Sequence, residues 1–168
     1  MASPDVYLLP NLVTLFRIAL IPLFVFLLLS NQPILAAVVF LALALTDAVD
    51  GFLARWLKQT SDLGKFLDPI ADKILVISAL ICLIEIRQAL ALPVMIIVAR
   101  DLVVSAVRLS AAGEGRVIAA SPWGKLKTIS QMAAVFMLIL KLPYAVEILW
   151  LSVLLTLISG VDYIVRKQ

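Results

Sequence analysis

Thr46–Lys73 reads TDAVDGFLARWLKQTSDLGKFLDPIADK and lies between two apolar runs. Asp47, Asp50, Asp68 and Asp72 stand in it, in a chain that is 64% hydrophobic. On a helix, Asp47 and Asp50 are i and i+3, with Gly51 and Ala54 on the same face. Gly64, Asp68 and Asp72 follow at intervals of four and form one stripe. Two consecutive helices can therefore turn two short carboxylate faces toward one site. The small residues beside them leave room for a ligand to approach the backbone.

Outside this stretch the composition excludes several kinds of chemistry. At 168 residues the chain has the length of one domain, and residues 1–168 read as a single membrane-embedded one. Only 15% of residues are charged, against about 25% in an ordinary soluble protein. A membrane protein is the economical reading. The first apolar run contains Arg17 and several more runs follow it, which argues against a cleaved signal peptide. The single cysteine, Cys82, excludes an internal disulfide and a cysteine metal site. Histidine is absent, so imidazole catalysis and imidazole ligation are excluded. Any metal site must use oxygen ligands, which suits magnesium, manganese or calcium. Nucleic acid is not expected as a partner.

A membrane span needs about 20 apolar residues. Six are predicted, at about 12–30, 34–56, 66–86, 90–111, 124–141 and 144–165, giving an all-α polytopic membrane protein with six transmembrane helices. Asn31-Gln32-Pro33 and Leu142-Pro143 break the first and last pairs. Ser3–Leu9 has the length of a short interfacial helix. Lysine and arginine near span ends predict orientation. Arg55, Lys58, Lys65, Arg108, Arg116, Lys125, Lys127, Arg166 and Lys167 fall on one side, and only Arg87 and Lys141 on the other. Both termini and the Arg55–Lys65 loop are thus expected in the cytoplasm. At about 1.5 Å rise per residue, Asp47 and Asp72 both lie roughly 20 Å from the outer ends of their spans. That is the cytoplasmic edge of a hydrocarbon core about 30 Å thick. Trp123, Trp150 and Tyr163 read as interfacial anchors.

An aspartate within a transmembrane helix costs about 2.5–3.5 kcal/mol at mid-membrane and less near the edge. The plain explanation is ion pairing with Arg55, Lys65 and Lys73. The alternative is a divalent metal, because acids crowded on two aligned faces outnumber those bases and repel one another.

The fixed positions are Asp-x2-Asp-Gly-x2-Ala-Arg-x8-Gly-x3-Asp-x3-Asp, filled by Asp47, Asp50, Gly51, Ala54, Arg55, Gly64, Asp68 and Asp72. This pattern resembles the signature of the CDP-alcohol phosphotransferases, integral-membrane enzymes of phospholipid synthesis. The resemblance implies two divalent cations, Mg2+ or Mn2+, bridged by Asp47 and Asp68, with Asp50 and Asp72 each holding one. Asp72 matches the proposed general base. Gly51 and Arg55 match residues beside the CDP diphosphate and cytidine, and Ser61 matches a polar nucleotide contact. Pro10, Asn11, Leu12 and Val13 match the segment that closes over cytidine, although Pro-Asn before an apolar run is also an ordinary helix start.

Asp101, Ser105 and Arg108 share a face of the fourth predicted span, and Arg116, Lys125 and Lys127 follow. Composition alone explains these cations by positive-inside bias and anionic lipid. The wording ARDLVVSAVRLSAAGEGRVIAASPWGKLKT, with PNLVTLFR and FLDPIADK, resembles the bacterial branch of the family whose acceptor is glycerol 3-phosphate. The likeness runs to about Gln131, and the last span adds little. It implies CDP-diacylglycerol and glycerol 3-phosphate as substrates, and Arg108, Arg116, Lys125 and Lys127 as the acceptor-phosphate clamp. It further implies a homodimer in the bacterial cytoplasmic membrane. One departure is Asp101, where the branch commonly has glutamate. Arg100 and Asp101 are neighbours that should not face each other on a helix, so their partners are expected on other helices.

The implied reaction is direct displacement, since no serine or cysteine has a histidine base beside it. The nearest alternatives are cardiolipin synthesis and acceptors such as inositol or serine. A divalent-cation transporter is the alternative of another class. Its acids should mark a route across the membrane, whereas these cluster at one depth.

Overall fold

Three helices of this chain end where an asparagine, an arginine or a lysine enters the left-handed region, and two begin at proline. A computed structural model describes residues 9–57, 62–113 and 122–165, with side chains described at 15–46, 73–107, 110 and 122–162. Among the described residues there are six helices and no strand: α1 (Leu9–Leu29), α2 (Pro33–Leu57), α3 (Asp62–Glu85), α4 (Ala91–Gly113), α5 (Pro122–Ile139) and α6 (Ala145–Val165). They coincide with the six apolar runs to within a few residues. The expected interfacial helix at Ser3–Leu9 lies almost wholly outside the described residues, and α1 begins at Leu9.

Helices α1, α3 and α5 end in the same way. Asn31, Arg87 and Lys141 have φ of 54°, 59° and 54°. The next residue in each case donates its N–H five residues back: Gln32 to Leu27 O, Gln88 to Leu83 O and Leu142 to Met137 O, at 2.8–3.1 Å. Each is a Schellman cap, which satisfies carbonyls the helix end would leave unpaired. Pro33 and Pro122 then occupy the first positions of α2 and α5, where the missing N–H costs nothing. Pro22 sits inside α1 and the helix runs through it.

The chain divides into two compact units, Met1–Cys82 and Leu83–Gln168. In the first, α1 packs on α2. Arg17, Ile21, Phe24 and Leu28 form the buried stripe of α1, and Ala36, Ala37, Phe40 and Leu43 that of α2. The alanines let the backbones approach, and the Phe24 and Phe40 rings meet at 5.8 Å between centroids. In the second unit, α6 packs on both α4 and α5. Val94, Ile97, Val135, Leu138, Leu149 and Val153 make its apolar core.

Large apolar side chains are exposed along the described helices. Phe16, Phe26, Ile34, Val38, Val103, Ile129, Leu154 and Val161 are all more than half exposed. A soluble protein seldom exposes so much large apolar side chain, whereas lipid accepts it. By length and composition, one described helical stretch, Ala145–Asp162, suffices to cross a membrane, and Leu15–Leu29 and Pro33–Thr46 are shorter apolar stretches.

Candidate active site

The described parts of the carboxylate stretch are helical. Helix α2 continues through Asp47, Asp50, Gly51 and Arg55 to Leu57, and α3 runs from Asp62 through Gly64, Asp68 and Asp72. The i, i+3 and i, i+4 spacings therefore act as drawn from the sequence, and each pair of aspartates shares one helix face. One residue before Asp47, the Thr46 hydroxyl donates back to Ala42 O at 2.6 Å. The side chains of the four aspartates lie outside the described residues. Among the described residues no group of three or more acidic, histidine or cysteine side chains comes together. Carboxylate oxygens from two helices are a hard, all-oxygen donor set, which fits Mg2+ or Mn2+.

A second polar cluster is fully visible in the unit built from α4, α5 and α6. Asp101 of α4 is 8% exposed and Lys127 of α5 is 7% exposed. The Lys127 ammonium donates to both Asp101 carboxylate oxygens, at 2.6 and 2.7 Å. Gln131, one turn further along α5, donates to Thr156 of α6 at 3.1 Å and reaches Asp101 at 3.5 Å. The Arg100 guanidinium donates to Ser159 Oγ of α6 at 2.9 Å and to Asp101 at 3.3 Å. Thr156 and Ser152 return their hydroxyl protons to backbone carbonyls of α6, so both hydroxyls have partners in the interior. Ser105 likewise donates to Asp101 O within α4. Gly160 lies beside Arg100, where a Cβ would come to 3.4 Å of its Nε.

One expectation changes here. Arg100 and Asp101 do find partners on other helices, as the sequence predicts, but they also meet each other. The arginine side chain is long enough to reach round the helix surface to its neighbour. Lys127, expected at the acceptor clamp, is buried against Asp101, while Lys125 is exposed. Helix α6 also contributes more than expected. Ser152, Thr156 and Ser159 follow at i, i+4 and i+7, a polar stripe on one face of an apolar helix that was readable in the sequence. Arg17, 2% exposed on α1, is a second buried cation whose only sequence signal was a charge inside an apolar run.

The other candidates are placed by backbone alone. Pro10, Asn11, Leu12 and Val13 lie in the first turns of α1. Arg108 is on α4. Ser61 and Arg116 lie outside the described residues.

The described residues are helical with many exposed apolar side chains, and two consecutive helices each carry a pair of aspartates. The chain belongs to the CDP-alcohol phosphatidyltransferase family, whose model matches residues 7–158. Among its relatives is the CDP-diacylglycerol--glycerol-3-phosphate 3-phosphatidyltransferase of Bacillus subtilis, 40% identical over 92% of this chain and 92% of the relative. The enzymes of that name from Haemophilus influenzae and Escherichia coli K12 are 36% and 38% identical. They cover 92% of this chain, over 90% and 92% of their own lengths.

Proposed function

We propose that this protein transfers the phosphatidyl group of CDP-diacylglycerol to sn-glycerol 3-phosphate, giving phosphatidylglycerol phosphate and CMP. The observation that carries the reading is identity of 36–40% to enzymes of that name over nine tenths of the chain. The complete set of fixed positions from Asp47 to Asp72 supports it. The acceptor 1-hydroxyl attacks the β-phosphorus, its proton passes to the Asp72 carboxylate, and CMP departs with the electrons of the broken P–O bond. Asp47, Asp50, Asp68 and Asp72 would hold two divalent cations, which supply positive charge for the attacking and leaving oxygens. Gly51, Arg55, Ser61 and the Pro10–Val13 segment take the nucleotide, Arg55 offering a planar fork to its phosphates.

Arg108, Arg116, Lys125 and Lys127 form the cation group that receives the acceptor phosphate. A phosphate monoester carries close to two negative charges, and inositol or serine would not call for so many cations. The same cations, with Arg55, Lys58 and Lys65, put the site and both termini on the cytoplasmic side of a bacterial membrane crossed six times. The family's continuous match over residues 7–158 supports reading the chain as one domain. A homodimer is the proposed assembly, to be checked by light scattering in detergent.

An acceptor screen with labelled CDP-diacylglycerol tests the function. Phosphatidylglycerol phosphate is the expected lipid product. Faster turnover of phosphatidylglycerol, to cardiolipin, would replace the reading. Arg108→Ala, Arg116→Ala and Lys125→Ala should each raise the KM for glycerol 3-phosphate about tenfold or more, since a charged hydrogen bond is worth about 1.5–3 kcal/mol. Lys58→Ala is the control. If all of these variants behave alike, the cations serve orientation only.

A further inference from the structure

Asp101 stands apart from the carboxylate stretch, yet it is the shared acceptor for Lys127, Arg100 and Gln131. Packing gives no reason for a charge at this position. The neighbouring interior of the same three helices is filled by Val94, Ile97, Ala134, Val135, Leu149 and Val153. Replacing a buried ion pair by apolar side chains of similar volume is often neutral or stabilising. What such a pair does provide is a defined place for a flexible group. A lysine free in water samples many rotamers, and a ligand that captures it must freeze them. Here the ammonium meets both carboxylate oxygens, at 2.6 and 2.7 Å. Two cations, Arg100 and Lys127, meet at the one carboxylate. Lys127 lies in the first turns of α5, two residues after exposed Lys125.

We infer that Asp101 is a positioning residue for the acceptor: its carboxylate sets the place of the Lys127 ammonium, and with it the cation group that receives the acceptor phosphate. The inference rests on the acceptor reading above, in which Lys127 belongs to that group. Asp101 itself touches no substrate. Its effect passes through Lys127, and glutamate, which carries the same charge, can do the same work with a small shift of the lysine.

The test is steady-state kinetics of the purified full-length enzyme in mixed micelles, with each substrate varied in turn. Asp101→Asn should raise the KM for glycerol 3-phosphate about tenfold while kcat and the KM for CDP-diacylglycerol stay within about threefold. Asp101→Glu should recover most of that loss. Ser159→Ala removes another interhelical hydrogen bond of the same unit without touching Asp101 or Lys127, and should leave both KM values unchanged. A similar rise in Ser159→Ala, or no rescue by glutamate, would reduce Asp101 to a general stabiliser of the helix packing. Asp101→Asn strands a buried cation and can fail to fold, so Lys127→Met is compared with the double variant Asp101→Asn/Lys127→Met, which removes both charges. Their KM values for glycerol 3-phosphate should agree within about twofold. A further rise in the double variant would mean that Asp101 acts independently of Lys127 and overturns the inference. If Lys127→Met leaves that KM unchanged while Arg108→Ala raises it, the positioning role fails and the clamp stands. If Arg108→Ala, Arg116→Ala and Lys125→Ala all leave it unchanged, the acceptor reading itself fails.

Discussion

A carboxylate in an apolar helix must be answered by opposite charge or by hydrogen-bond donors, and Asp101 takes its answer from protein side chains. For Asp47, Asp50, Asp68 and Asp72 the proposed answer is divalent metal. Asp47→Asn or Asp68→Asn should abolish turnover, because loss of either carboxylate would weaken the hold on both of the proposed cations. Exhaustive EDTA treatment should silence the enzyme, and Mg2+ or Mn2+ should restore it. Full activity in excess chelator would sink the metal reading. Asp72→Asn should lower turnover by orders of magnitude while CDP-diacylglycerol still binds by calorimetry, since the nucleotide contacts are assigned elsewhere. Loss of nucleotide binding would make Asp72 chiefly a structural ligand. The spacing of these aspartates was legible because a helix converts spacing into a shared face, while their roles are what the family resemblance implies. The partners of Asp101 were not legible, because they sit 26 and 30 residues away on another helix.

At the scale of the element, helix ends follow local rules that any reader of the sequence can apply. Proline at a first helical position and a left-handed residue just past the last turn mark the breaks. What the sequence did not advertise is that a lysine and an arginine occupy two of the left-handed positions, which glycine would fill without Cβ strain. Lys141→Gly should therefore keep the fold and stabilise it by up to about 1 kcal/mol, the relief of strain being partly offset by backbone entropy. Lys141→Val, β-branched in the same conformation, should lower the midpoint of thermal unfolding in detergent. If valine is tolerated as well as glycine, the cap is not under strain. Helix α6 shows the limit of such local rules. Its serines and threonine read as a mild polar stripe, and only the neighbouring Gln131 and Arg100 turn that stripe into an interhelical network.

For the whole molecule, orientation is the property most open to direct measurement. Cys82 is the only cysteine and is buried, so a Cys82→Ala background is a clean start for labelling. Cysteine placed at Arg87 or Lys141 should react with an impermeant maleimide on intact cells. Cysteine at Lys58 or Lys125 should react only after the membrane is opened. The reverse pattern would invert the proposed topology, and labelling of all four on intact cells would break it. The sequence by itself determined six helices and the spacing of the aspartates along two of them, because these follow from periodicity along one chain, while the family was legible as a resemblance of the fixed positions from Asp47 to Asp72. Only the tertiary structure decided that Lys127 is turned inward to Asp101 and that α6 closes the polar cluster. Both depend on contacts between helices, where a long side chain has several faces to choose from and the neighbouring helix makes the choice.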